Sequence, residues 1–399
     1  MKKLHSSLPF SLFPWAASLQ SASRHLLPFV VLSLLLSLSG CSKGGQTSGG
    51  GQNDSDSVAA PALCVADTLM NRTAAFYAGV SADGIQMSSS DAQAWKKYSE
   101  QIAKYRERSR ESHLGPIDGV LKADAQDLRE KVDYMFYPFA GADFQYPITL
   151  FPDADTYFLV GLENVGSPLG EVKTEYGRYE AYRKALDYYF RCSYFITAFM
   201  EGDLDNNELD GTLPVISMLM ALNDCKIISV QHKQFTEQGS LADADATSKL
   251  VEVKFFKQST PTHEQTLYFL STNMKDSAFD PLFQKYLDTE LPKHYVASFF
   301  KAASYLCHYG SFDNIRGDVL KYSKAVLQDD SGIAFKFFDQ NAWSLQLYGE
   351  YVRPLKCFDA CTYQNDLSAY YKEHAADIHK LPFRIGYSRP SNWMIARKK

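Results

Sequence analysis

Several things are scarce in this chain, and each shortage narrows what it can be. Basic clusters are missing: 41 Lys and Arg stand against 46 Asp and Glu, for a formal net charge of −5. Residues 1–40 carry Lys2, Lys3 and Arg24 and no acid, so the remainder stands at −8. An acidic chain without a basic stripe excludes ordinary nucleic-acid binding and electrostatic docking on an anionic membrane. Long apolar runs are missing too. The uncharged stretch Leu26–Leu38 has thirteen residues, whereas a spanning helix needs about 20. Motifs of hydrolytic chemistry are incomplete. Ser331 has Asp329 where a G-x-S-x-G elbow needs its first glycine, and "KEHAADIHK" does not give H-E-x-x-H.

What remains is an ordinary globular balance, 45% apolar and 22% charged, enough for a sizeable core. Aromatics are abundant, with 25 Tyr and 26 Phe against 4 Trp. Tyrosine can line a glycan or peptide groove, and it also fills the edge of a core.

The N-terminus carries Lys2 and Lys3. Arg24 and His25 precede the short greasy stretch, which ends in Leu38-Ser39-Gly40-Cys41. A short apolar run followed by small residues is the pattern of a secretory signal. The four residues resemble the lipobox of bacterial lipoproteins: an aliphatic residue, two small ones and a cysteine. That resemblance implies cleavage before Cys41, a diacylglycerol and a further acyl chain such as palmitate on Cys41, and membrane attachment through lipid. Ser42 stands where enterobacterial lipoproteins retained at the inner membrane carry Asp, so the likeness favours the outer membrane. Ser42–Ser57, "SKGGQTSGGGQNDSDS", has no aliphatic or aromatic residue and reads as a tether. The expected organisation is a signal peptide over 1–40, a tether over 41–58 and one globular domain over 59–399.

Periodicity gives an outline of that domain. Trp95, Tyr98, Ile102 and Tyr105 share one helical face behind an N-cap at Ser90 or Asp91. Gly115-Pro116 ends that pattern, and "DAQDLREKVDYMF" reads as a second helix. Thr156–Leu162 has a strand signal, and residues 175–200 read as a long helix. Leu213–Leu222 is an apolar segment. "KIISVQ", "KLVEVKFFKQ" and "TLYFLSTN" read as strands with at least one hairpin. Tyr295, Phe299, Ala302, Ala303, Leu306 and Tyr309 fit a helical stripe, and Asn365–His379 a further helix. The expected class is α+β, helix-rich at both ends, with a small antiparallel sheet in the middle. Besides Cys41 there are Cys64, Cys192, Cys225, Cys307, Cys357 and Cys361; Cys357–Cys361 is the first candidate disulfide, with free thiols as the alternative.

Three stretches, "YPFAGADFQYP", "FLVGLENVG" and "LQDDSGIAFKFF" with the following "WSLQLYGEYVRPL", resemble an uncharacterised family of bacterial exported proteins over most of 130–399. The likeness implies one continuous unit and no particular chemistry.

The remaining constellations are turns as readily as sites. Asp203, Asp205 and Asn207 begin a calcium loop, but Glu208 and Pro214 stand where it needs Gly and Glu. No metal site and no cofactor are therefore expected. Asp329-Asp330-Ser331-Gly332 is a good turn sequence that also offers two carboxylates for acid–base work. Gly141 and two prolines make "YPFAGADFQYP" a rigid irregular loop, and such loops often carry function. The candidate ligand-binding residues are Tyr137, Asp143, Glu163, Asp329 and Asp330. The expectation is a lipid-anchored envelope domain that binds a protein or glycan. Its rivals are an exported hydrolase using those carboxylates and a structural component of the envelope.

Overall fold

The computed structural model describes residues 63–174, 176–192, 210–358 and 362–399. The signal, Cys41, the tether, the calcium-like loop through Leu209 and Cys361 lie outside the described residues.

The first half is mostly helical. Helix α1 (Thr68–Tyr77) is capped by the Asp67 carboxylate on the Met70 N–H. Helix α2 (Ser89–Ser109) is capped by Ser88, two positions ahead of Ser90 and three ahead of Asp91, the expected caps. Gly115-Pro116 does not end it: a π-helical turn, Arg110–Leu114, carries the chain directly into α3 (Gly115–Asp124). Pro116 donates no N–H to this ladder, and it falls where the bonding has widened to i→i−5, with the Gly115 N–H on the Arg110 carbonyl. The predicted helix over "DAQDLREKVDYMF" divides into α4 (Gln126–Lys131) and strand β1 (Tyr134–Tyr137). Then follow α5 (Gln145–Leu150), β2 (Thr156–Gly161), α6 (Tyr176–Cys192) and α7 (Thr212–Leu222). Ten of the eleven residues of α7 are buried, as expected of a helix apolar all round.

Strands β3 (Cys225–Phe235), β4 (Leu241–Asp243), β5 (Leu250–Lys257) and β6 (Gln265–Ser271) come next. They lead to α8 (Pro281–Glu290), β7 (Val296–Phe300), α9 (Asp313–Tyr322) and β8 (Ala325–Gln328). The chain closes with β9 (Trp343–Gly349), α10 (Asn365–Glu373) and β10 (Asn392–Lys398). The predicted stripe from Tyr295 to Tyr309 is thus strand β7 and a loop with a 3-10 turn, not a helix. Helix α10 stops six residues short of His379, and Cys357 is a free thiol.

All ten strands form one sheet in the order β4-β3-β5-β6-β2-β1-β7-β8-β10-β9. The middle five, β6-β2-β1-β7-β8, run parallel, and antiparallel strands extend each side. This overturns the α+β expectation of a small antiparallel sheet flanked by helical ends. The sheet is large and mixed, and helices cover both of its faces. In β1, Met135 and Tyr137 join the core under α1–α7, while Tyr134 and Phe136 join the core under α8–α10. Strands buried on both faces lose the polar–apolar alternation that would have marked them.

Candidate functional site

The connectivity itself marks one edge of the sheet. From β1 the chain passes through α5, in one core, to β2 on one side. From β7 it passes through α9, in the opposite core, to β8 on the other side. Loops leaving the carboxyl ends of β1 and β7 therefore diverge and leave a crevice between them. Open parallel sheets bind ligands at such switch points.

Strained backbone gathers here. Five described non-glycine residues have left-handed φ, and four lie in these two loops: Phe139, Ala302, Ser304 and Tyr305. Each costs about 1–3 kcal/mol and persists only where its surroundings hold it. What holds them is a buried polar network. The Lys301 ammonium lies 2.6 Å from Asp143 Oδ2, and both side chains are at most 2% exposed. Tyr189 donates to Asp143 Oδ1 at 2.7 Å and Tyr137 to Oδ2 at 3.2 Å. Lys301 Nζ also stands 3.3 Å over the Tyr146 ring. Burial pulls Lys301 down to about 8, against the opposing pull of Asp143 and then Asp329, so it is still an ammonium at pH 7.

The turn after β8 adds two carboxylates that diverge. Asp329 Oδ1 accepts from the Ser331 hydroxyl at 2.6 Å, and Oδ2 from the Ala302 N–H at 3.4 Å. Asp330 faces the other way, accepting from Tyr305 at 2.8 Å and Asn392 at 2.9 Å. Burial, and next the Asp330 charge, raise the Asp329 carboxyl to about 7. Burial raises Asp330 as well. The space beside the pair is about 10 Å³, room for at most one water. Glu163, after β2, is buried, accepts the Leu162 N–H at 3.1 Å and packs against Gly161.

All five predicted residues thus lie at the carboxyl edge of the parallel strands. Tyr137 and Asp143 bond directly, Asp329 couples to them through the field at Lys301, and Glu163 and Asp330 face other partners. None opens onto a large cavity. The open cleft lies next to them and was not foreseen. It has a volume of about 650 Å³ between Arg108, Ser112 and His113 on one side and residues 381–391 on the other, with Phe190 at the end of α6. A second cleft, about 1040 Å³, lies across the same segment and includes Tyr351, Tyr371 and Lys372.

The 381–391 segment is tied to the buried network. Tyr387 donates to the Ala302 carbonyl and bonds Ser304. At Gly386 φ is +69°, and a Cβ there would come within 1.5 Å of Asp329 Oδ2. His113 Nδ1 meets the Arg384 carbonyl at 3.2 Å; a carbonyl only accepts, so Nδ1 carries the proton. Burial, with Lys301 and two arginines nearby, lowers the affinity of His113 for a second proton.

Lys301 was visible in the sequence only as a lone charge at the end of "VASFF". Nothing marked Arg108, Arg384 and Arg389 as neighbours. Among the described residues no group of His, Cys, Asp and Glu is arranged to hold a metal ion. Comparison of the chain with protein-family models, with curated proteins and with solved structures finds no match.

Proposed function

We propose that this chain is a lipid-anchored protein of the cell envelope, attached through Cys41 at the outer membrane, whose α/β domain binds a ligand in the cleft between the Arg108–His113 stretch and residues 381–391. The observation that carries the binding role is the position of that cleft beside the switch point, against loops whose strained backbone is held by the Lys301–Asp143 network. Its volume suits a small molecule. The aromatic excess supports a cleft over a flat partner surface: most large rings are buried, and Tyr309 alone represents them among the exposed large hydrophobics of the described residues. Hydrolysis by the clustered carboxylates has less support, because Asp329 and Asp330 are buried and already hydrogen-bonded. For the anchor, the support is the Leu38–Cys41 pattern.

Native mass spectrometry of the full-length protein isolated from membranes tests both halves. The expected species begins at an acylated Cys41 and carries a small-molecule adduct. An unacylated chain retaining residues 1–40 would contradict the anchor, and a spectrum without an adduct at any stage of gentle purification would contradict the binding role.

A further inference from the structure

Three arginines, Arg108, Arg384 and Arg389, line the 650 Å³ cleft, and no acidic residue among the described ones does. That is the reverse of the chain as a whole, which carries a net charge of −5. None of the three guanidinium groups is held in an ion pair or hydrogen bond by another described residue. Each remains a fork of solvent-facing donors open to a ligand. The cleft also holds Ser388, which is only 3% exposed and whose Oγ has no hydrogen-bond partner. A buried hydroxyl without a partner is costly, and such groups in native proteins call for an explanation. Its neighbours are satisfied: Ser391 Oγ bonds the Ser388 carbonyl at 3.0 Å and receives the Ile385 N–H at 3.3 Å. The turn is therefore formed without the Ser388 hydroxyl, which is left to serve something in the cleft.

We infer that the cleft takes a small anionic molecule, one bearing carboxylate or phosphate groups, gripped by Arg108, Arg384 and Arg389 and hydrogen-bonded by Ser388. This deepens the binding role above and rests on it. Guanidinium is the group whose planar fork matches both oxyanions. Arg384 is suited to the task because His113 fixes its backbone carbonyl while its side chain stays free. A cleft of this size holds a metabolite-sized anion and excludes a folded polyanion. The arginines are exposed, so binding weakens as salt rises.

The test is calorimetric titration of full-length protein in detergent micelles with pyrophosphate, citrate and, as the uncharged control, maltotriose. Saturable binding of pyrophosphate alone identifies a phosphate site, and of citrate alone a carboxylate site. Arg384→Gln with Arg389→Gln is expected to weaken that binding tenfold or more at an unchanged thermal midpoint. Ser388→Ala is expected to weaken it while leaving the midpoint equal or higher, since it removes an unsatisfied buried group. Binding of either anion that survives the double arginine change overturns the inference, as does failure of both anions to bind. If maltotriose binds instead and Ser112→Trp stops it, the anion class falls while the cleft stands. If Ser112→Trp, which fills the mouth from an exposed position, leaves every probe unaffected, the cleft itself is wrong.

Discussion

Lys301 is the residue on which the edge of the sheet depends. Its ammonium is buried against one carboxylate, with two tyrosine hydroxyls on that carboxylate and the face of a third tyrosine ring. Removing one partner of such a pair strands the other charge in the interior, which costs about 3–5 kcal/mol. Lys301→Met should lower the free energy of unfolding in urea by that amount, and adding Asp143→Leu should recover part of it. A loss below about 1 kcal/mol would place the pair in a wetter setting than its burial implies. Asp329 behaves in the opposite sense to a salt-bridged acid. Its folded-state value, about 7, is above the unfolded 3.8, so folding favours the protonated form. The stabilisation is complete below pH 3.8 and is lost as the pH rises through 7. Between pH 4.5 and 7.5 the urea midpoint of the native protein should fall relative to that of Asp329→Asn, because the amide does not titrate. Parallel curves would contradict the shift. The sequence exposed Tyr137 and Asp143 because Gly141 and the flanking prolines punctuate their loop. It hid Lys301, since a lysine after an apolar run reads equally as a solvated strand end.

At the level of elements, the strands divide by how they are covered. Strand β6 alternates between buried and partly exposed positions over its first five residues and β3 over its first three, and β5 has partly exposed Lys254 and Lys257 within a β-branched and aromatic run, so all three were legible. Strands β1, β7 and β8 are buried at every position and only four or five residues long. Nothing local separates such runs from pieces of buried helix, and the β7 region accordingly passed for a helical stripe. The parallel order that creates the switch point was illegible for the same reason. The 381–391 segment illustrates a further limit. Its shape depends on Gly386 meeting Asp329 across more than fifty residues of sequence. Gly386→Ala adds a Cβ where an oxygen already sits and strains a left-handed backbone by about 1–2 kcal/mol. It should lower the thermal midpoint and weaken pyrophosphate or citrate binding together. An unchanged midpoint and affinity would show that the turn is not seated on Asp329.

For the molecule as a whole, the sixteen residues Ser42–Ser57 carry no aliphatic or aromatic side chain, and the proposal gives them the role of a tether between a lipid on Cys41 and the domain. The proposed binding role then rests on the cleft, where a cationic lining in an acidic chain adjoins a strained edge of the sheet. The most direct measurement is native mass spectrometry of the membrane-isolated protein beside its Ser112→Trp variant. The account predicts a small anionic adduct on the native protein and none on the variant, with equal thermal midpoints. An adduct of the same mass and occupancy on both would contradict it.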